Sequence, residues 1–362
     1  MTYLDYQATT PLAPEALDAM LPWLRDQHAN PHSPHAPGRK AKAAVEVARA
    51  AVATLFGGDG QVAFTSGATE ALNWAIQGTT GPIVTLATEH AAVLDTVAAL
   101  AAQGRKVTVL PVGSNGLVDL SVARGAIAPG TGLVAAMLVN NEIGVIQPIA
   151  ALADLAHAAG ALFLCDAVQG YGRVTIPQGC DLVAVSAHKI HGPKGIGALW
   201  VRNGVRLAPL LHGGGQEALG RSGTLSPALC AGFGVAAGMM TERRETDHAH
   251  VATLFQKSVD RLAGWTINGA LDPRYQGNLN IRRDGLDVAR LMSDLRDVAF
   301  SAGSACASGS GRSSHVLRGI GLSEGQARSS VRIGFGRYTG EQELTEALDR
   351  IVATAAAQRV AA

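Results

Sequence analysis

Between Gln61 and Val201 the chain alternates short apolar runs with segments of helical period, and few folds accept that alternation. The apolar runs at 62–64, 83–86, 107–110, 133–139, 161–165, 182–185 and 197–201 read as seven strands. Helical stretches at 69–77, 91–102 and 149–159 lie between several of them. Strands alternating with helices predict an α/β domain whose mainly parallel seven-stranded sheet is covered on both faces. Ligands of such sheets bind beyond the carboxyl ends of the strands, so the residues just after each run carry the functional information. Past Gly232 the texture changes to a long polar helix over 241–262, short strands near 279–281 and 331–333, a helix over 286–295 and a closing helix over 342–360. The 362 residues, 47% of them hydrophobic, exceed the usual size of one domain. The expected division is a large domain at 14–250 and a smaller α+β domain made of 1–13 and 251–362.

The net charge of +1, with no long run of Lys or Arg, argues against nucleic acid or an anionic membrane as partner, so the expected ligand is small. No apolar stretch reaches transmembrane length and residues 1–5 lack a secretory start, which predicts a cytoplasmic protein. The four cysteines form no Cys-x-x-Cys pair, against a disulfide framework or a thiolate zinc site. Cys165 and Cys180 lie in or beside apolar runs and read as small hydrophobes. His28, His32 and His35 suggest a metal cluster, but Pro31 and Pro34 break the helix that would align them, and no metal is expected. The 192–197 segment lacks the Lys-Ser/Thr ending of a P-loop and opens no helix.

Several strand ends carry chemistry. Thr65-Ser66-Gly67-Ala68-Thr69-Glu70 leads from a strand into a helix, a geometry that suits a phosphate or an ordinary capping box. Asp166 closes one strand, as a helix cap or as the partner of a cation such as a protonated pyridine nitrogen. Lys189 closes another in Ser186-Ala187-His188-Lys189, where burial disfavours the ammonium form and makes an amine nucleophilic towards a carbonyl. Together the two are able to grip opposite ends of one pyridoxal ring. His90 and the 140–144 segment follow further strands, and each also has a purely structural reading. Arg332 sits inside a short strand, where its charge needs a substrate carboxylate or a salt bridge. Cys306 lies in the small-residue run 301–311, which leaves a thiol reachable and the backbone free, as a nucleophile or as an incidental surface cysteine.

Lys189 in Ser-x-His-Lys, Asp166 with Gln169, the 66–70 and 140–144 segments, Thr88-Glu89-His90 and Ser301-x-Gly-Ser-Ala-Cys306 together resemble cysteine desulfurases. These are pyridoxal 5'-phosphate (PLP) enzymes of the class V aminotransferase fold, a branch of fold type I, and the likeness is to the bacterial group that feeds iron–sulfur cluster assembly and nitrogenase maturation. It runs from Tyr3 to Thr339. The resemblance implies that Lys189 holds the cofactor covalently, Asp166 keeps the pyridine nitrogen protonated, and His90 stacks on the ring and assists proton transfer. It places Ala68, Thr69, Ser186 and His188 at the cofactor, the last three on its phosphate, with Thr224 reaching across from a second subunit of a homodimer. Gln169 would contact the ring hydroxyl, and Asn141 and Arg332 the substrate carboxylate. Cys306 would take sulfur from L-cysteine as a persulfide, release alanine and pass the sulfur to an acceptor protein, an iron–sulfur scaffold or another. The Gly311-Arg312-Ser313 segment and the short end after the last helix depart from the group's pattern and leave the acceptor open. The alternatives are a selenocysteine lyase or another class V aminotransferase or lyase, and a non-catalytic persulfide carrier.

Overall fold

The seven apolar runs make one sheet, in the spatial order Gly60–Thr65, Gly197–Arg202, Leu182–Ser186, Leu162–Asp166, Leu133–Met137, Ile83–Leu86, Val107–Leu110. The computed structural model describes residues 1–303 and 313–358. Four of the six neighbouring pairs, those from Leu182–Ser186 outward to Val107–Leu110, are parallel, as crossover connections give, whereas Gly197–Arg202 runs antiparallel to both of its neighbours. Both faces are buried because successive side chains alternate. Phe163 and Cys165 point into a core shared with helices Ala36–Ala53, Ile149–Ala158 and Pro227–Glu242, while Leu164 joins the core beneath Ala68–Gln77 and Ala91–Ala102. Cys165, Cys180 and Cys230 are all buried free thiols, in keeping with small hydrophobes.

Much of the glycine content is spent on close helix contact. A Cβ at Gly234 would stand 2.7 Å from the Cα of Ala48, and one at Gly232 2.7 Å from Met20. Ala36–Ala53 makes such contacts through Gly and Ala more than through bulky side chains, and neither Pro14–Arg25 nor Ala36–Ala53 was read from the sequence pattern. His35 serves as the N-cap of the second, its Nδ1 accepting from the Gly38 N–H at 3.2 Å. The polar helix expected over 241–262 is Arg244–Arg261, and a helix the sequence pattern did not announce, Pro227–Glu242, precedes it with a break at Arg243. Pro227–Glu242 is buried against the large sheet and Arg244–Arg261 packs on the smaller core, so one straight helix cannot serve both.

That smaller core lies under an antiparallel sheet in the order Ser301–Ala302, Ser330–Gly334, Asn278–Arg282, Thr266–Ile267. Val331 and Ile333 face the core, which by alternation sends Arg332 to the other side. Thr2–Tyr3 pairs in parallel with Val298–Ala299, Leu4 enters the smaller core, and Asp5 bridges to Gly334. The chain then crosses to the large sheet, where the Thr10 N–H donates to the His188 carbonyl and the Ala13 N–H to that of His191, each at 2.9 Å. Residues 5–13 therefore form a strap between the two cores, over the carboxyl edge of the large sheet. Among the described residues no helix is long and apolar enough to cross a membrane.

At that edge Gly197 pairs with both Thr65 and Ser186. A Cβ there would fall 2.5 Å from the Val185 carbonyl and 2.7 Å from the backbone of Gly67, so the turn after the first strand must give way. Gly197→Ala is expected to cost about 1–3 kcal/mol, seen as a thermal midpoint lowered by several degrees; an unchanged midpoint would show that this close approach is not required.

Candidate active site

The strand Leu182–Ser186 ends in a 3₁₀ turn over Ala187–Lys189, and the chain then reverses through His191 at φ +68° into Gly192. A non-glycine residue in the left-handed region is held there at a cost of about 1–3 kcal/mol. The strap supplies the hold: the His191 N–H donates to Thr10 Oγ1 at 2.7 Å, and its Nδ1 lies 2.9 Å from the Pro11 carbonyl. The turn delivers the Lys189 side chain into a cavity of about 690 Å³. Its Nζ donates to the carbonyls of Gln7 and Ala8, the latter at 2.8 Å, and makes no ion pair within the described residues. Burial, then the guanidinium charges of Arg332 and Arg173, bring its pKa down to about 8.

Asp166, 4% exposed, ends the neighbouring strand in the same cavity and accepts from the Val168 N–H at 3.0 Å. Burial pushes its carboxyl upward, against the pull of that hydrogen bond and of His90 and Lys189. His90 caps the helix Ala91–Ala102, with Nδ1 accepting from the Ala92 N–H at 3.0 Å, which assigns the ring proton to Nε2. Burial lowers its pKa below the ordinary value, so the ring is mainly neutral at pH 7. His188, whose Nδ1 lies 3.1 Å from Thr9 Oγ1, is pushed down to about 4 by burial and by Lys189 and Lys194.

One wall is the start of the helix Ala68–Gln77. Its N-cap is Gly67, with no side chain capping the helix, while Glu70 accepts from the Ser66 N–H at 2.7 Å and pairs with Arg221 at 2.8 Å. Half of the capping box is thus present, and the first helical N–H groups stay free for an oxyanion beside Thr69 and Ser186. On the opposite wall Arg332, its side chain 1% exposed, donates to Asp5 at 2.8 Å and to the Asn141 carbonyl at 3.1 Å. Its Nε and the Oδ1 of Asn141 are buried without partners among the described residues. The salt bridge and the cavity position, alternatives in the sequence, are both present.

Ten of the twelve residues singled out from the sequence line this cavity: Ala68, Thr69, His90, Asn141, Asp166, Gln169, Ser186, His188, Lys189 and Arg332. Thr224 does not line it within one chain. Cys306 lies outside the described residues, between Gly303, whose N–H donates to the Ser330 carbonyl at 2.7 Å, and Ser314, whose hydroxyl donates to the buried carboxylate of Glu142. The sequence reading missed Gln7, Ala8, Thr9 and Lys194. Gln7 and Ala8 act through backbone carbonyls, which no residue type announces; Lys194 belonged to the segment rejected as a P-loop.

The chain matches the aminotransferase class V family over residues 2–346. It is 44% identical to the cysteine desulfurase IscS of Rickettsia akari (strain Hartford), over 96% of this chain and 90% of that protein. A solved structure described as a NifS-like protein superposes with a TM-score of 0.90 at 31% identity, covering 98% of each chain. Another, described as SspA in complex with cysteine, gives 0.82 at 35% identity, covering 94% of this chain and all of that one.

Labelling by an amine-reactive reagent, followed by peptide mass spectrometry across pH, checks the state of Lys189. Its rate is expected to level off above about pH 8 and to fall about tenfold per unit below it. A midpoint near that of an exposed lysine, about 10.4, would contradict the depressed amine.

Proposed function

We propose that this chain, which belongs to the class V aminotransferase family, is the PLP-dependent cysteine desulfurase its curated relatives are named as, moving sulfur from L-cysteine to Cys306 and leaving L-alanine. One observation carries the reading: a depressed amine, a buried carboxylate, an uncapped helix start and an embedded guanidinium share one cavity. Those residues fit PLP. The free N–H groups of the helix start, with Thr69, Ser186 and His188, suit its phosphate; Asp166 has no ion pair among the described residues and suits a pyridinium; Lys189 suits its aldehyde. When bound, the cofactor draws electrons away from the α-carbon of an attached amino acid.

The roles follow from the chain's own groups. Lys189, partly neutral near pH 8, is able to attack a carbonyl, with the strap carbonyls holding Nζ in place. The same Nζ, within the cavity, would be the amine placed to hold or move a substrate proton. Asp166 would keep the pyridine nitrogen protonated, and His90, with Nε2 bearing its proton, would lie against the ring and serve proton transfers. Gln169 would hold the ring hydroxyl, and Ala68 would complete the cradle of the phosphate. Arg332 holds the substrate carboxylate through its unpartnered Nε, and Asn141 adds a polar contact. The thiolate of Cys306 attacks the substrate sulfur, forming the S–S bond of a persulfide as the carbon–sulfur bond breaks, and a sulfur-acceptor protein then removes the outer sulfur. We further infer a homodimer, in which Thr224 completes the neighbour's phosphate site, working in the cytoplasm without nucleic acid or membrane.

Incubation with L-cysteine is expected to add one sulfur to the Cys306 peptide by mass spectrometry and to release alanine. Cys306→Ser should keep the cofactor chromophore and lose sulfur release; full release by that variant would reject the mechanism. His90→Ala is expected to lower turnover about 10²–10⁴-fold with the chromophore retained, and Lys189→Ala to lose the borohydride-reducible chromophore. Light scattering should return twice the chain mass, and a monomer would remove Thr224 from the site.

A further inference from the structure

We propose that the second large cavity of this protein, about 770 Å³ and bordered by Arg173, is a binding site for a small organic polyanion whose occupancy is felt at Lys189. Four guanidinium groups line it: Arg173, Arg244, Arg274 and Arg337. Among the described residues only Arg337 of these has a carboxylate partner, donating to Asp247 through Nε at 2.8 Å and through Nη2 at 2.5 Å. Arg274, 7% exposed, donates to the carbonyls of Ala270, Asn278 and Asn268, which are neutral. Arg244 reaches only Thr175 Oγ1, at 2.6 Å. Arg173 donates to the Lys189 and Gln169 carbonyls and lies over the Tyr275 ring at 5.2 Å.

Among the described residues, then, three guanidinium groups face the cavity without an ion pair, against the single unpaired carboxylate of Glu245. Buried charge is tolerated when it is paired, and burial alone brings Arg274 down to about 10, the mark of a cation lacking its counter-ion. A separate observation points the same way. Arg337, its side chain 2% exposed, leaves Nη1 buried with no partner. Fork-shaped donors in a cavity much larger than one inorganic oxyanion suit a molecule bearing two or more carboxylate or phosphate groups.

Arg173 joins this cavity to the active site, since the same guanidinium that lines it donates to the backbone of Lys189. Its positive charge is one of the forces that disfavour the Lys189 ammonium. An anion held on its other side offsets that charge, so binding shifts the protonation of the Lys189 nitrogen towards higher pH. The binding half stands on the cavity alone; the coupling half rests on Lys189 as the cofactor's anchor.

The test is calorimetric titration of the holoenzyme with citrate at low ionic strength, with potassium chloride of matched ionic strength as control. Saturable binding of one citrate per chain is expected, weakened about tenfold or more in Arg244→Glu, an exposed position where the variant's melting temperature reports intact folding. Absorbance titration of the bound chromophore should show its pH midpoint raised by saturating citrate in the native protein and unmoved in Arg244→Glu. Absence of saturable heat, or equal affinity in the variant, overturns the site; binding with an unmoved midpoint overturns the coupling. Calorimetry needs no turnover, so a protein that bound citrate but released no alanine would refute the desulfurase reading and leave this one standing.

Discussion

A lysine amine buried between backbone carbonyls, with no ion pair of its own among the described residues, is the constraint on which the rest of this molecule depends. Burial makes the charged amine expensive, and Arg332 and Arg173 make it more so. The Gln7 and Ala8 carbonyls offset part of that cost, but only if the strap is held in place. It is held from both sides: Asp5 pairs with Arg332 on the smaller sheet, while Thr10, Pro11 and Ala13 fasten to the turn that carries Lys189. The left-handed His191 belongs to the same arrangement, since three of its polar atoms are spent on the strap.

The parallel sheet explains why the reactive groups converge. Six strands of the large sheet end at the same edge, and five of those ends bring polar residues to the cavity that the buried strands themselves have no room for. Asp166 and Lys189 leave adjacent strands and meet opposite shifts, the acid raised and the amine lowered. Each is therefore biased towards neutrality until a ligand brings the complementary charge. Separating an electron-poor ring from solvent in such a place makes its protonation state a property of the protein.

The sheet was legible because buried parallel strands are short apolar runs, and Leu162–Asp166 or Leu182–Ser186 contain little else. Asp166, Lys189 and His90 stood out because a charged or polar side chain directly after such a run is costly without a purpose. What the sequence hid was of two kinds. Helix Ala36–Ala53 packs through Gly38, Ala41 and Ala48 as well as Val45 and Val52, so its buried face lacks the bulky period that marks an amphipathic helix. The strap contributes through main-chain carbonyls and through Asp5, whose partner Arg332 is 327 residues away, and no local pattern encodes a contact of that separation.

That separation has a bearing on how the protein comes into being. During synthesis the large sheet is complete once Arg202 has left the ribosome, and with it the Lys189 turn. The strap, however, is made well before its partners on the smaller sheet, Gly334 and Arg332, the second of them 327 residues beyond Asp5. Until they follow, nothing from the smaller sheet covers the amine, and the strap has no fixed seat. The pocket is thus a late product of translation, closed by joining segments made far apart in time.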